Sequence, residues 1–187
     1  MIIVALGSNL NGNFGTPYQS IGQALRQLNA SGIAIGTVSR LYRSRAYGGA
    51  PQPDFLNAVA IVYTSLPASA LLEILKRIEA QAGRRELKLA HRPVPRPLDL
   101  DIVSYRGLVC NWREKRPLEG RRVVLPHPRA HERAFVLRPL CDVAPFWHHP
   151  VFGLNALEFL KNPAVRKTGE ILSAGQACDQ FPFSLKS

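Results

Sequence analysis

The sequence predicts an α+β domain whose elements run β-α-β-β-α-β, with further strand and helix after them. Runs rich in Ile, Val and other β-formers alternate with segments whose apolar residues recur at helical spacing, and turn residues punctuate each change. A chain of 187 residues, 46% apolar and 20% charged, is also long enough for one well-buried domain and short for two.

The first strand is Ile2 to Leu6, ended by Gly7-Ser8-Asn9. Thr16-Pro17 then offers an N-cap followed by proline at the first helical position, where its missing N–H costs nothing. Ile21, Leu25 and Leu28 share one face of the helix that follows, and Gly32 lies past its end. "IAIGTVSRLYRS", Ile33 to Ser44, reads as one strand, and "FLNAVAIVYTS", from Phe55, as the next. Leu71, Leu75, Ile78 and Ala82 mark the second helix, with Pro67 near its start and Gly83 as its stop. "LDLDIVSY", from Leu98, is the fourth strand. This order is that of a ferredoxin-like core, one largely antiparallel sheet with two helices on a face. Beyond it, "RRVVLPHPRA" suggests a short strand, and a helix is expected from about Arg129 to Cys141. The chain is divided into a domain over residues 1–150 and an extension over residues 151–187 that packs on or trails from it. In the extension, "NALEFL" is the one amphipathic stretch.

A formal charge of +11 implies an anionic partner: nucleic acid, a membrane surface or a phosphorylated small molecule. Cys110, Cys141 and Cys178 are far apart and odd in number, which suits reduced thiols better than a zinc CxxC site or a disulfide framework. No apolar run approaches the roughly 18 residues that span a bilayer. The opening "MIIVAL" lacks the positive flank of a secretory signal, so a cytoplasmic chain without a membrane partner is expected. No GxxxxGK[ST] occurs, which excludes a P-loop, and no GxGxxG follows a strand, which argues against a Rossmann site. An RNA-binding module of the same fold would need a [KR]-G-[FY]-[GA]-[FY] run, and none is present; nucleic acid is therefore not the expected partner.

The sharpest feature is "HRPVPRPLDLDI", His91 to Ile102. Strand alternation points Asp99 and Asp101 one way and Leu98, Leu100 and Ile102 the other. The polar face is either solvated or a metal site, since carboxylates about 7 Å apart at Cα can share one or two hard cations. Arg84, Arg85, Lys88, Arg92 and Arg96 precede the pair, and Arg121, Arg122, Arg129, Arg133 and Arg138 follow it. Arginine forks match phosphate oxygens while carboxylate-bound Mg²⁺ bridges others, the requirement of metal-assisted phosphoryl transfer. The alternative for the charge is a solvated basic surface or a nucleic-acid footprint. His127, in "LPHP", is a candidate donor to a phosphate oxygen, or simply a loop residue. His127 and His131 have the spacing of a helical metal pair, but Pro128 intervenes and no Glu completes a zinc pattern. His148-His149 reads as a surface turn. The stretch "SRAYGGAPQPDFLN", Ser44 to Asn57, is either a hairpin connection or a pocket wall. In the second case Gly48-Gly49 allows close backbone approach, Tyr47 and Phe55 offer ring faces, and Asn57 offers a donor and an acceptor to a heterocycle.

"ALGSNL", "SRLYRS", "PQPDFLNA", "IEAQAGR", "PRPLDLDI" and "LPHPRAHERAFVLRPLCDVAP" together resemble the 6-hydroxymethyl-7,8-dihydropterin pyrophosphokinase family, in order from about Ile3 to Pro145. The resemblance implies a ferredoxin-like core and transfer of the terminal pyrophosphate of ATP to the hydroxymethyl group of a reduced pterin, releasing AMP, in folate biosynthesis. It implies that Asp99 and Asp101 hold two Mg²⁺ ions and that Arg84 and Arg96 steady the phosphates. By the same resemblance Ile102, Arg122, His127 and Arg133 are nucleotide contacts, and Ser44, Tyr47, Phe55, Asn57 and Phe135 form the pterin pocket, with Phe55 and Phe135 on either side of the ring. ATP and a reduced pterin are then the partners, and nothing demands an oligomer. A divergent paralogue that acts on another pterin-like alcohol, or binds without turnover, is the alternative. The sequence departs from the family's Arg-Trp-Gly-Pro-Arg-Thr: Pro93 and Val94 follow Arg92, Pro97 replaces the Thr, the loop is about two residues longer, and Glu86 stands where a basic residue often occurs. Prolines at 93, 95 and 97 fix φ and extend their predecessors, so a stiff segment is expected in place of a mobile lid.

Overall fold

The computed structural model describes residues 1–47, 51–84, 94–112 and 123–175. Its elements are β1 (Ile2–Ser8), α1 (Pro17–Ala30), β2 (Ala34–Val38), β3 (Tyr42–Ser44), β4 (Phe55–Tyr63), α2 (Ala68–Gln81), β5 (Asp99–Tyr105), α3 (Ala134–Val143), α4 (Ala156–Leu160), α5 (Pro163–Lys167) and β6 (Ile171–Ala174). The strands form one antiparallel sheet in the order β5-β1-β4-β3-β6, with β2 pairing β4 beyond the reach of β3. The α+β, ferredoxin-like reading of the sequence is thus the observed one.

Alternation along β1 divides the interior into two layers. Ile2, Val4 and Leu6 face α1 and α2, where Leu25, Leu28, Leu71 and Leu75 are fully buried; Ile3 faces the opposite way, onto α3, α4 and α5. Cutting any of those leucines to alanine leaves a cavity and costs about 2–5 kcal/mol. Thr16 caps α1 as its sequence suggests, accepting from Gln19 N–H while the Gln19 side chain accepts from Thr16 N–H. No helix among the described residues is long and apolar enough to cross a membrane.

The structure corrects several boundaries. Ile33 to Ser44 is two strands, because Ser39 turns its hydroxyl, rather than its carbonyl, to the Val59 N–H and interrupts the ladder. Between Arg129 and Cys141 the chain forms a 3₁₀ turn, Ala130–Glu132, before α3 begins, since Arg133 is extended. The strand expected near "RRVVLPHPRA" is a single bridge, Leu125 with Cys110, and Arg121 and Arg122 lie outside the described residues, as does Cys178. The extension, expected to hold one amphipathic stretch, supplies two short helices and the strand β6 that borders β3.

His149 is the clearest departure. Far from sitting in a surface turn, it is 1% exposed, its ring among Trp112, His131, Trp147, Phe152 and Phe159 at centroid distances of 4.9–5.8 Å. Its Nδ1 accepts from Val151 N–H, whereas its Nε2 has no partner among the described residues. Burial, with nearby His131 adding to it, pushes His149 down to about 4. An unfolded histidine takes up its proton near 6.5, so the stabilisation is complete above that pH and is lost as the pH falls towards about 4. Melting curves between pH 7.5 and 4.5 should show a fall in midpoint that His149→Phe reduces; parallel curves for the two proteins would refute this account.

Candidate active site

Asp99 and Asp101 do share a face, and that face lines a cleft of about 360 Å³ between the ends of β1, β3, β4 and β5 and the start of α3. Leu100 and Ile102 turn to the opposite side, into the α1–α2 core. The alternation breaks at Val103, where a bulge shifts the pairing of β5 with β1. Before the bulge β5 offers carboxylates to the cleft; after it Ser104 faces the α3 layer, accepting from Trp147 Nε1 at 3.3 Å. The Val103 carbonyl meanwhile accepts the backbone N–H of His127 at 3.0 Å, which brings that histidine beside Asp101.

A chain of charges runs from α2 to Asp99. Gly83, at φ +97°, closes α2 with the left-handed turn that glycine adopts without strain, and Arg84 N–H returns to Glu79 C=O at 3.1 Å. That turn sends Arg84 back over the strand: its Nη1 lies 2.6 Å from both Glu79 Oε1 and Asp99 Oδ1. Arg96 Nη1 donates to Asp99 Oδ2 at 2.9 Å, so both oxygens of Asp99 accept from arginine. Burial alone would raise Asp99, but Arg96 and Arg84 outweigh it and hold the carboxyl below its ordinary range. Glu79 is 2% exposed; its carboxylate receives Lys76 Nζ at 2.9 Å and Leu100 N–H at 2.7 Å. Burial pushes the Glu79 carboxyl up, against the pull of Lys76 and Arg84.

Asp101 faces different neighbours. His127 Nδ1 accepts the Arg129 N–H at 3.1 Å, which leaves the proton on Nε2, 3.6 Å from Asp101 Oδ2. Burial lowers His127 and keeps it neutral, with Asp101 opposing. His131 does not join it: that ring packs against Phe152 at 4.8 Å, so the two histidines at helical spacing have different neighbours. Arg129 and Arg133 line the same cleft, and Arg133 sits over the Phe135 ring at 5.6 Å.

The far end of the cleft gathers Ser44, Tyr47, Phe55, Asn57 and Phe135. Asn57 Nδ2 donates to Ser44 Oγ at 2.9 Å and to Tyr42 C=O at 3.3 Å. Its amide hydrogens are therefore engaged within the protein, and what it can turn to a ligand is the carbonyl oxygen. Asn9, 3% exposed, ties three loops together: it exchanges hydrogen bonds with the Arg96 backbone at 3.1 and 2.7 Å and donates to Pro53 C=O at 3.0 Å and Gln52 Oε1 at 3.3 Å. Ser8 Oγ donates to Pro97 C=O at 2.6 Å, so Arg96 and Pro97 are pinned to the end of β1.

Some expected residues are not brought to the cleft. The Ile102 side chain, 5% exposed, belongs to the core beneath it. Arg122, Gly48, Gly49 and the segment Arg85 to Pro93 lie outside the described residues. Conversely, Glu79, Asn9 and Arg45 escaped the reading of the sequence. For Glu79 a signal existed: it stands four residues after Leu75 and eight after Leu71, on the stripe that α2 buries.

A family model described as 7,8-dihydro-6-hydroxymethylpterin-pyrophosphokinase (HPPK) matches residues 3–145. A 2-amino-4-hydroxy-6-hydroxymethyldihydropteridine pyrophosphokinase of Synechocystis is 36% identical over 153 residues, 81% of this chain and 72% of the relative. Its namesake from Haemophilus influenzae is 37% identical over 142 residues, 75% of this chain and 79% of the relative. Among solved structures, HPPK-DHPS of Plasmodium falciparum superposes with a TM-score of 0.60 at 15% identity, covering 88% of this chain and 43% of that longer one, a likeness of fold.

The Glu79 carboxylate gives the site a stability test. Glu79→Ala strips a partner from Lys76, Arg84 and the Leu100 N–H, and should lower the unfolding free energy by about 2–3 kcal/mol in urea titrations. Glu79→Gln, which keeps an acceptor for Leu100, should lose less. Equal losses in the two variants would mean that the hydrogen bond to β5 contributes nothing.

Proposed function

The chain belongs to the 7,8-dihydro-6-hydroxymethylpterin-pyrophosphokinase family, and from that premise we propose that it transfers pyrophosphate from ATP to the hydroxymethyl group of 6-hydroxymethyl-7,8-dihydropterin, releasing AMP, in folate biosynthesis. The observation that carries the reading is the joint placement in one cleft of an Asp pair, arginines and an aromatic pocket with an oriented amide. In the reaction the acceptor oxygen forms a bond to the β-phosphorus as the bond to the α-phosphate oxygen breaks.

The donor set suits Mg²⁺: hard carboxylate oxygens at two positions on one strand face, with room for phosphate oxygens to complete the shell. Asp99 and Asp101 would hold the metal, as two ions in our reading, and bound there it would neutralise charge that develops on the β- and γ-phosphates. Arg84 and Arg96 are positioned on Asp99, and a polyphosphate offers their forks oxygens in place of the carboxylate's. His127, neutral with its proton on Nε2, donates to phosphate, and Arg133 adds charge beside it. Arg122 we assign to the nucleotide by its place in the sequence, and Ile102 to the adenine side, through the strand it belongs to. Phe55 and Phe135 take the two faces of the pterin, Ser44 and Tyr47 border it, and Asn57 accepts from a ring N–H through its carbonyl oxygen.

An assay by HPLC with ATP, Mg²⁺ and 6-hydroxymethyl-7,8-dihydropterin should give AMP and pterin pyrophosphate one for one. ATP–Mg²⁺ binding without either product would overturn the proposed activity in favour of a non-catalytic or differently directed paralogue. Asp99→Ala and Asp101→Ala should each reduce turnover by at least about 10³-fold while circular dichroism stays unchanged; near-normal rates in either would refute the metal assignment.

A further inference from the structure

We infer that the turn Thr168–Glu170, in the C-terminal extension, is part of the pterin end of the cleft, and that Gly169 is a positioning residue for the Phe135 ring. The inference rests on the pterin pocket proposed above, but the turn it adds lies outside the family match, which ends at residue 145.

The first observation is a close approach. Gly169 has φ +65°, and a Cβ placed on it would overlap Phe135 Cδ1 while standing 3.2 Å from Cε1 and 3.4 Å from Cγ. The Cδ1 edge of the ring therefore abuts the glycine backbone, with the Arg133 guanidinium 5.6 Å from the ring centroid. Phe135 is only partly buried and lines the cleft, so its plane depends on what it rests against. A second observation joins the same turn to the opposite wall. Glu170 C=O accepts the Arg45 N–H at 2.9 Å, and β6 then pairs with β3, setting Ile171 opposite Ser44. The exposed ion pair of Arg45 with Glu170, at 3.3 Å, adds little to this backbone bond. The turn is itself anchored: Thr168 N–H and Oγ1 donate to Val165 and Ala164 carbonyls at 3.0 and 3.1 Å, and Val165 is buried in the α3 layer.

One short turn thus fixes the aromatic ring on α3 and the end of β3 at Ser44, with Arg45 just beyond it. A side chain at position 169 would push the Phe135 ring by about 1 Å before ordinary van der Waals separation was restored. Stacking on a flat heterocycle is sensitive to a shift of that size, whereas among the described residues no hydrogen bond or ion pair joins the turn to Asp99 or Asp101.

The test is calorimetric titration of 6-hydroxymethylpterin in the presence of Mg²⁺ and α,β-methylene-ATP, alongside steady-state kinetics. Gly169→Ala and Gly169→Asn are both needed, because Asn tolerates positive φ and carries the test if the Ala variant does not fold. Either should raise the pterin Kd and KM at least tenfold, with kcat and nucleotide affinity within about threefold. Gly153→Ala, at φ +68° with open space around it, reports the cost of the backbone conformation alone and should leave pterin affinity unchanged. In a Phe135→Leu background the Gly169 substitutions should have no further effect on pterin binding. Failure of the unaltered protein to bind the pterin would overturn the proposed function and this inference with it. If it binds, unchanged affinity in a folded Gly169 variant, equal losses for nucleotide and pterin, or a full loss in the Phe135→Leu background would each overturn the role of Gly169 alone.

Discussion

A strand at the edge of a sheet carries backbone groups that no neighbouring strand satisfies, and β5 is such a strand with the Asp pair on it. Between Asp99 and Asp101, the Leu100 N–H and C=O point away from β1 and are met by the Glu79 carboxylate and Lys76 Nζ at 2.7 and 3.2 Å. A side chain of α2 therefore takes the place of a missing strand, and the same carboxylate receives Arg84. Helix, strand and guanidinium are held by one buried acid. The position of Asp99, the direction of Arg84 and the shape of the cleft floor depend on it.

The electrostatics follow from that arrangement. At the floor of the cleft Arg84 and Arg96 are both ion-paired with Asp99, and Arg84 with Glu79 as well. Arg84 lies between two acids and Asp99 between two arginines, so each charge enters low dielectric with a partner, which limits the desolvation cost. The result is a set of ionised groups held in register before any phosphate arrives, which is how a site reduces reorganisation during transfer.

Local periodicity made the Asp pair, the caps of α1 and the buried stripes readable, because each depends on residues a few positions apart. The six quoted blocks added the pocket residues from β3, β4 and α3. What the sequence hid were events decided by distant partners. The Ser39 hydroxyl breaks a long β-rich run only because Val59 lies opposite. Val103 bulges only because β1 pairs on both sides of it. His149 looks like a turn residue until Trp112, Trp147 and Phe159 are seen to enclose it, and β6 is four residues whose strand character comes from β3. Glu79 was within reach of a closer reading, since an acid on a buried stripe needs a partner.

The pairing of β6 with β3 also has a temporal side. These strands lie more than a hundred residues apart along the chain, so β3 keeps an open edge while everything between them is being synthesised. A nascent chain that already carries the Asp pair, His127 and Phe135 still lacks the neighbour that borders Ser44. Every block by which the family is recognised leaves the ribosome before the strand that closes this wall, and maturation of the cleft is deferred to the extension.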